Sequence, residues 1–283
     1  MTISQLDLRH TGLYSTTVRL WEDRVTLTKS KVSSGRGSCI EVGYVNRQAA
    51  APTDLPGADY SGFHRVHRVS ITNNTIDGCA NDPAFLMSWT CNNSGLPGIY
   101  SQWVDDLLVS NNVIKNTALR GVQLYPSNSN VTIRNNLLRA NSIAMNIGTT
   151  DVSWAEASNV TIEANVFAEQ SSAQLVATYP TLRNPANGGS CAGNKYELYN
   201  SPNGVTVDDQ ASEYSEFTTV DPSVTLTGNC GANVRPRPGY TTSFTWTGST
   251  NLNAAAAFVS PTDDHQTAAS PCKNVGPPAL RSP

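Results

Sequence analysis

Few residues of this 283-residue chain have the types and spacing that catalysis requires. Glu41 lies in a segment of alternating apolar and polar residues, and Asp105 and Asp106 are adjacent. Two carboxylates roughly 6.5 to 9.5 Å apart can hydrolyse a glycosidic bond with inversion, and carboxylate oxygens are ligands that Ca²⁺ prefers. The three residues are therefore candidate catalytic residues and candidate ligands of a Ca²⁺ cofactor.

Basic side chains form a second group, clustered at positions 64–68. In β-elimination on a uronate sugar, a cation or an arginine neutralises the sugar carboxylate while a histidine or tyrosine moves the proton. Arg19, His64 and His67 are therefore the remaining candidate catalytic residues. In the alternative interpretation, Asp105 and Asp106 only end a turn and Glu41 only pairs with Arg19.

Aromatic and amide side chains recur near these charges. Aromatic rings stack on apolar sugar faces, and amides satisfy sugar hydroxyls. The candidate substrate-binding residues combine such groups with two arginines, and they are Trp21, Tyr100, Gln102, Gln123, Tyr125, Asn146, Arg65 and Arg68.

A regular repeat must position these residues. Similar Gly- or Ala-led segments occur at 98–102, 121–125 and 144–148, a step of 23 residues. Between them, segments 107–114 and 131–138 each read as a short strand, an Asn-Asn turn and a second short strand, with looser copies at 69–76 and 160–167. This predicts three strands per rung of about 23 residues in a stacked all-β coil. Asparagine suits such turns because it tolerates left-handed backbone and its amides can stack as a ladder.

The pattern V-T-I-x-N-N-x-I, a spacer and G-I-x-L resembles the right-handed parallel β-helix, or pectate-lyase-like, superfamily. This resemblance implies a right-handed parallel β-helix over residues 1–177, with 178–283 as an irregular C-terminal region that packs on or caps the coil. The superfamily includes lyases, hydrolases, epimerases, tailspikes and adhesins. Motifs of polygalacturonases and mannuronan epimerases are absent from the sequence, so no catalytic residue is carried over from a subfamily.

Strand alternation then predicts which side chains point outward. One outward column comprises Arg19, Glu41, Tyr100, Gln123 and Asn146, and a second comprises Trp21, Gly43, Gln102, Tyr125 and Gly148. Two insertions, 45–67 and 79–97, interrupt the period and are expected to wall the same groove.

The net charge and the cysteines indicate the class of partner and the cellular location. With a formal net charge of −3, the protein has no overall positive charge that would attract nucleic acid or an acidic membrane surface. The six cysteines predict disulfides Cys79–Cys91 and Cys191–Cys230, with Cys39 and Cys272 free, and an oxidising, extracellular location. Met1 opens no signal peptide, so we expect upstream sequence to be missing.

Together these patterns predict a secreted protein whose partner is a polysaccharide. The first hypothesis is a lyase that cleaves a uronate-containing glycan by β-elimination. The alternatives are an inverting glycoside hydrolase on the same groove and a non-catalytic glycan-binding or adhesin-like solenoid. The patterns leave the oligomeric state open.

Overall fold

The computed structural model describes residues 1–10, 16–34, 37–43, 65–79, 97–117, 120–124, 128–141, 143–147, 158–168, 215–217, 224–231 and 250–281. Within these ranges, short strands form three parallel sheets, and each turn of the chain contributes one strand to each sheet. This confirms the predicted right-handed parallel β-helix.

The strands are numbered in chain order. Sheet A contains β1 (Thr2–Ser4), β4 (Thr26–Thr28), β7 (Val66–Thr72), β10 (Val104–Ser110), β13 (Ser129–Arg134), β16 (Ser158–Glu163) and β19 (Val224–Thr227). Sheet B contains β2 (Asp7–His10), β5 (Lys31–Ser34), β8 (Thr75–Asp77), β11 (Val113–Lys115), β14 (Leu137–Arg139) and β17 (Val166–Ala168). Sheet C contains β3 (Val18–Leu20), β6 (Ile40–Val42), β9 (Ile99–Ser101), β12 (Arg120–Leu124), β15 (Ile143–Ile147) and β18 (Ser215–Phe217).

The core consists of apolar side chains that point into the coil. In sheet A, Leu27, Ile71, Val109, Ile133 and Ile162 occupy matching register positions on successive strands. All five have 0% exposure. Their outward neighbours along each strand are polar or partly exposed, because side chains alternate across a strand.

An asparagine ladder stabilises the corner between sheets A and B. Its buried or part-buried members are Asn74, Asn112, Asn136, Asn165, Asn229 and Asn251. From Asn112 onward, each side-chain oxygen accepts from the backbone N–H and the side-chain amide of the asparagine one rung earlier, as Asn136 does from Asn112. The Asn74 oxygen accepts from the backbone N–H of Ser30, and the ladder amides also donate to backbone carbonyls, as Asn136 does to Val109. The residue before each ladder position from Asn74 to Asn229 has a positive φ, as at Asn135 (52°). Asparagine is predicted to adopt left-handed backbone and to form an amide ladder. The structure confirms both roles on successive residues of the turn, as at Asn135 and Asn136.

The coil continues beyond residue 177, where an irregular region is predicted. β18 pairs with β15, and β19 pairs with β16, so both sheets extend by one rung. No observation tests the division of the chain into domains at that residue.

The C-terminal segment lies against sheet B. Residues 258–266 form an antiparallel hairpin of β20 (Phe258–Ser260) and β21 (Asp263–Gln266), followed by a 3₁₀ turn at Pro278–Leu280. Asp264 pairs with Lys115 at 2.5 Å and with Arg139 at 3.0 Å, and the Arg139 guanidinium lies 4.0 Å from the centre of the Phe258 ring. These contacts hold the hairpin on the outside of the coil.

The disulfides differ from those predicted. Cys39 pairs with Cys79, and Cys230 pairs with Cys272. The predictions of Cys79–Cys91, Cys191–Cys230 and two free thiols were therefore wrong; Cys91 and Cys191 lie outside the described residues. The physical reason is rung stacking, which brings Cys39 and Cys79 to a Cα–Cα distance of 5.5 Å although 40 residues separate them. Two disulfides indicate an oxidising environment. No helix in the described ranges is long and apolar enough to cross a membrane.

Candidate functional site

The outward column of sheet C has the predicted register. Arg19 pairs in register with Glu41, Glu41 with Tyr100, Tyr100 with Gln123, and Gln123 with Asn146. Successive strands of a sheet lie about 4.8 Å apart. Glu216 occupies the next position after Asn146, a continuation that sequence reasoning missed because a long segment separates β15 from β18.

Exposure varies along this column. The Arg19 side chain is 46% exposed and that of Glu41 18% exposed. Gln123 is only 4% exposed, and its Oε1 has no hydrogen-bond partner among the described residues. The column is therefore open at its Arg19 end and covered at Gln123, where the alternation predicts an outward side chain. For Asn146 the structure gives the register position alone.

Glu41 lies at the centre of a polar cluster. Its Oε2 accepts a hydrogen bond from Thr16 Oγ1 at 3.2 Å and lies 3.4 Å from Arg19 Nε. Its Oε1 accepts from Gln102 Nε2 at 3.1 Å. The Arg19 guanidinium lies 5.0 Å from the centre of the Trp21 ring, a distance suited to a cation–π contact. The structure thus brings four of the predicted site residues together at one end of sheet C.

The corner after β9 positions Gln102 in this cluster. Gln102 donates its backbone N–H to the carbonyl of Val42, one rung earlier. Gly43 has φ +81°, and a Cβ there would lie 1.7 Å from the Gln102 carbonyl oxygen. Only glycine permits the two rungs to approach this closely.

Asp105 forms a separate cluster on sheet A. Arg65 contacts both of its carboxylate oxygens, at 2.9 and 2.8 Å. Ser129 donates its hydroxyl to Asp105, and His67 Nδ1 lies 3.6 Å from the same carboxylate. Arg65 also lies 6.0 Å from the centre of the Trp103 ring, which is buried.

Asp106 and Arg68 lie near the starts of β10 and β7, beside the corner between sheets C and A. Both are exposed, and both have φ of 61°. Left-handed backbone recurs at this corner in Arg24, Asn130 and Asn159. The two residues thus occupy equivalent corner positions on adjacent rungs, because their neighbours pair in register as Asp105 with His67.

These positions limit which carboxylates act together. Glu41 belongs to sheet C and Asp105 to sheet A, and each has its own arginine. Among the described residues, no group of three His, Cys, Asp or Glu side chains is close enough to hold a metal ion. The Ca²⁺ site of Glu41, Asp105 and Asp106 therefore stays a prediction, without an assembled ligand set in this part of the chain.

Some predicted features cannot be placed. His64, Tyr125 and Gly148 lie outside the described residues, as does most of both insertions. In turn, sequence reasoning missed Thr16, Ser129 and Trp103. A signal existed for Trp103, because both Trp21 and Trp103 closely follow a strand of sheet C.

The family comparison agrees with this architecture. The sequence model of the family described as "Right handed beta helix region" matches residues 12–235, well over half of the chain. The chain belongs to the right-handed beta-helix family. Searches of curated proteins and of solved structures found no match. Membership in the beta-helix family establishes the coil and leaves its chemistry to be argued from the residues.

Proposed function

We propose that this protein binds and cleaves an acidic, uronate-containing polysaccharide by β-elimination, at the open Arg19 end of the outer face of sheet C, and that it works outside the cell. The observation that supports this most directly is the cluster at the open end of that face. There a partly exposed arginine lies over a tryptophan ring, with Tyr100 on strand β9 and Gln102 at the corner directly after that strand.

Each group has a role suited to an acidic sugar chain. Arg19 supplies positive charge to neutralise a uronate carboxylate, which makes the neighbouring C–H more acidic. Tyr100 is two strands from Arg19 in the same column, roughly 10 Å away at the backbone, a separation that the long arginine side chain can shorten. Its phenol is the candidate group for moving the proton.

The same geometry favours elimination over hydrolysis. An inverting hydrolase needs two carboxyl groups on opposite sides of one bond, one of which holds a water molecule. Glu41 and Asp105 lie on different sheets, and each is engaged by an arginine. Because each carboxylate is already paired with its own arginine, we place elimination by Arg19 and Tyr100 first and hydrolysis second.

The test is incubation of the purified protein with a panel of uronate polysaccharides. Elimination produces an unsaturated sugar end that absorbs ultraviolet light, together with one new reducing end per cleavage. Reducing ends without the absorbance would instead indicate a hydrolase. Binding to a polysaccharide with neither signal would indicate a glycan-binding solenoid.

A variant of the candidate proton-transfer group sharpens this test. Tyr100→Phe removes the hydroxyl and keeps the ring, so we expect cleavage to fall by about 100-fold or more while binding is retained. Equal cleavage by the wild-type protein and the variant would reject Tyr100 as the proton-transfer group.

A further inference from the structure

We propose that Glu41 is a positioning residue, and that it holds Arg19 as a receptor for the carboxylate of the sugar. The inference rests on the proposed function and names which group meets which part of the substrate. It departs from the prediction that Glu41 is itself an acid, a base or a metal ligand.

The contacts of Glu41 already use both of its oxygens. Thr16 and Arg19 approach Oε2, and Gln102 donates to Oε1. With three donors around a side chain that is only 18% exposed, the carboxylate is oriented toward the protein. A general base must instead direct a free oxygen at the proton that it removes.

The contacts of Arg19 leave its outer end available. Its Nε faces Glu41, and the guanidinium plane lies by Trp21. In the described part of the chain, the two Nη groups make no other hydrogen bond, and the side chain is 46% exposed. A guanidinium held in this way presents paired N–H donors, the geometry that binds a carboxylate through two parallel hydrogen bonds.

Arg65 provides the contrast within the same molecule. It also lies near a tryptophan and beside a carboxylate, but both Nε and Nη2 bind Asp105. Its bidentate interaction is thus made with the protein. Of the two arginine–tryptophan pairs in the described ranges, the one at Arg19 is the more exposed, with its side chain 46% exposed against 31% for Arg65, so the geometry assigns the sugar carboxylate to Arg19.

The experiment measures binding of polygalacturonate, alginate and hyaluronan by calorimetry, with fully methyl-esterified polygalacturonate as the uncharged probe. Arg19→Ala should weaken binding of the acidic glycan that the wild type prefers by about tenfold or more. Arg19→Lys should recover only part of the loss, because an ammonium lacks the paired donors. Methyl esterification should weaken wild-type binding of polygalacturonate and have little effect on the Arg19→Ala variant.

The role of Glu41 is tested by a double-mutant cycle. Glu41→Gln should weaken binding by about threefold in the wild-type background, and by nothing further when Arg19 is already alanine. The matched control is Arg9→Ala, which removes another arginine paired with a carboxylate, Asp7, on the exposed surface of sheet B. The control should bind as the wild type does.

Different outcomes would reject the carboxylate receptor, the positioning role of Glu41 or the proposed function itself. If acidic glycans bind and Arg19→Ala binds equally well, the carboxylate receptor is rejected and the proposed function survives. If Glu41→Gln abolishes cleavage with binding unchanged, Glu41 is catalytic and the positioning role is rejected. If no uronate glycan binds, the proposed function itself fails, together with the ligand assigned to Arg19.

An NMR measurement tests the positioning role of Glu41 in the absence of any glycan. The Nε–H of Arg19 should give a distinct, slowly exchanging signal in ¹⁵N-correlated NMR spectra, because it is held against Glu41. Glu41→Gln should shift this signal and speed its exchange with water. An unchanged signal in that variant would show that Glu41 does not hold Arg19.

Discussion

Asn136 offers the clearest test of what holds the rungs together. Its Oδ1 accepts from the backbone N–H and the amide of Asn112, at 2.9 and 3.0 Å. Its Nδ2 donates to the carbonyl of Val109 and to Oδ1 of Asn165, both at 2.9 Å. The residue has 0% exposure, so water cannot replace these partners.

The substitution Asn136→Ala removes the acceptor of the buried Asn112 N–H, the acceptor of the Asn112 amide and one donor to the C=O of Val109. An unsatisfied buried N–H costs about 1 to 3 kcal/mol and each of the other two lost hydrogen bonds about 0.5 to 1.5 kcal/mol, so we expect the free energy of unfolding to fall by about 2 to 6 kcal/mol. The oxygen of Asn165 keeps its hydrogen bond from the Asn136 backbone, which limits the loss. Urea denaturation followed by circular dichroism measures the change, provided that the slope with urea is the same in both proteins.

Two further variants make the result decisive. Thr132→Ala alters a partly exposed side chain of the neighbouring strand β13 and should change the free energy by no more than about 0.5 kcal/mol. Asn251→Ala alters the part-buried ladder member beyond Asn229, where water can replace lost partners, and should cost only about 1 kcal/mol. If Asn136→Ala costs no more than Asn251→Ala, burial does not determine the strength of the ladder and the reasoning is refuted.

Three other predictions follow from single contacts. Gly43→Ala should destabilise the protein by about 3 kcal/mol, because φ is +81° and the added methyl would overlap a carbonyl oxygen; thermal unfolding measures this, and an unchanged midpoint would contradict it. Asp264→Asn leaves the positive charges of Arg139 and Lys115 without their negative partner and should lower the free energy of unfolding by about 3 kcal/mol. The loss should be measured as faster proteolysis of the hairpin, and equal rates in the two proteins would contradict it. The backbone N–H of His265 and then the His265 ring lower the pKa of Asp263. The stabilisation that Asp263 contributes is therefore present above the ordinary carboxyl pKa and is lost as the pH falls through the lower pKa of the folded state. An NMR titration in which Asp263 shows the ordinary carboxyl pKa would contradict this.

Local patterns determined the coil and the order of residues along it. A strand alternates every second residue, and a rung advances by one strand spacing whatever lies in its loops. Both properties follow from the amino-acid sequence, so the fold could be predicted, and so could the strand register that aligns Arg19, Glu41 and Asn146. The asparagine ladder could be predicted for the same reason, because each copy repeats the same turn.

Only the tertiary structure decided which side chains meet. Loops of different length separate equivalent positions by different numbers of residues, so the spacing in the sequence does not show that Cys39 meets Cys79 or that Arg65 meets Asp105. Alternation likewise assigns Gln123 to the outer face but cannot show that the face is covered there. Contact and burial depend on what stacks above each residue, and in a coil the residues that stack together come from different turns of the chain.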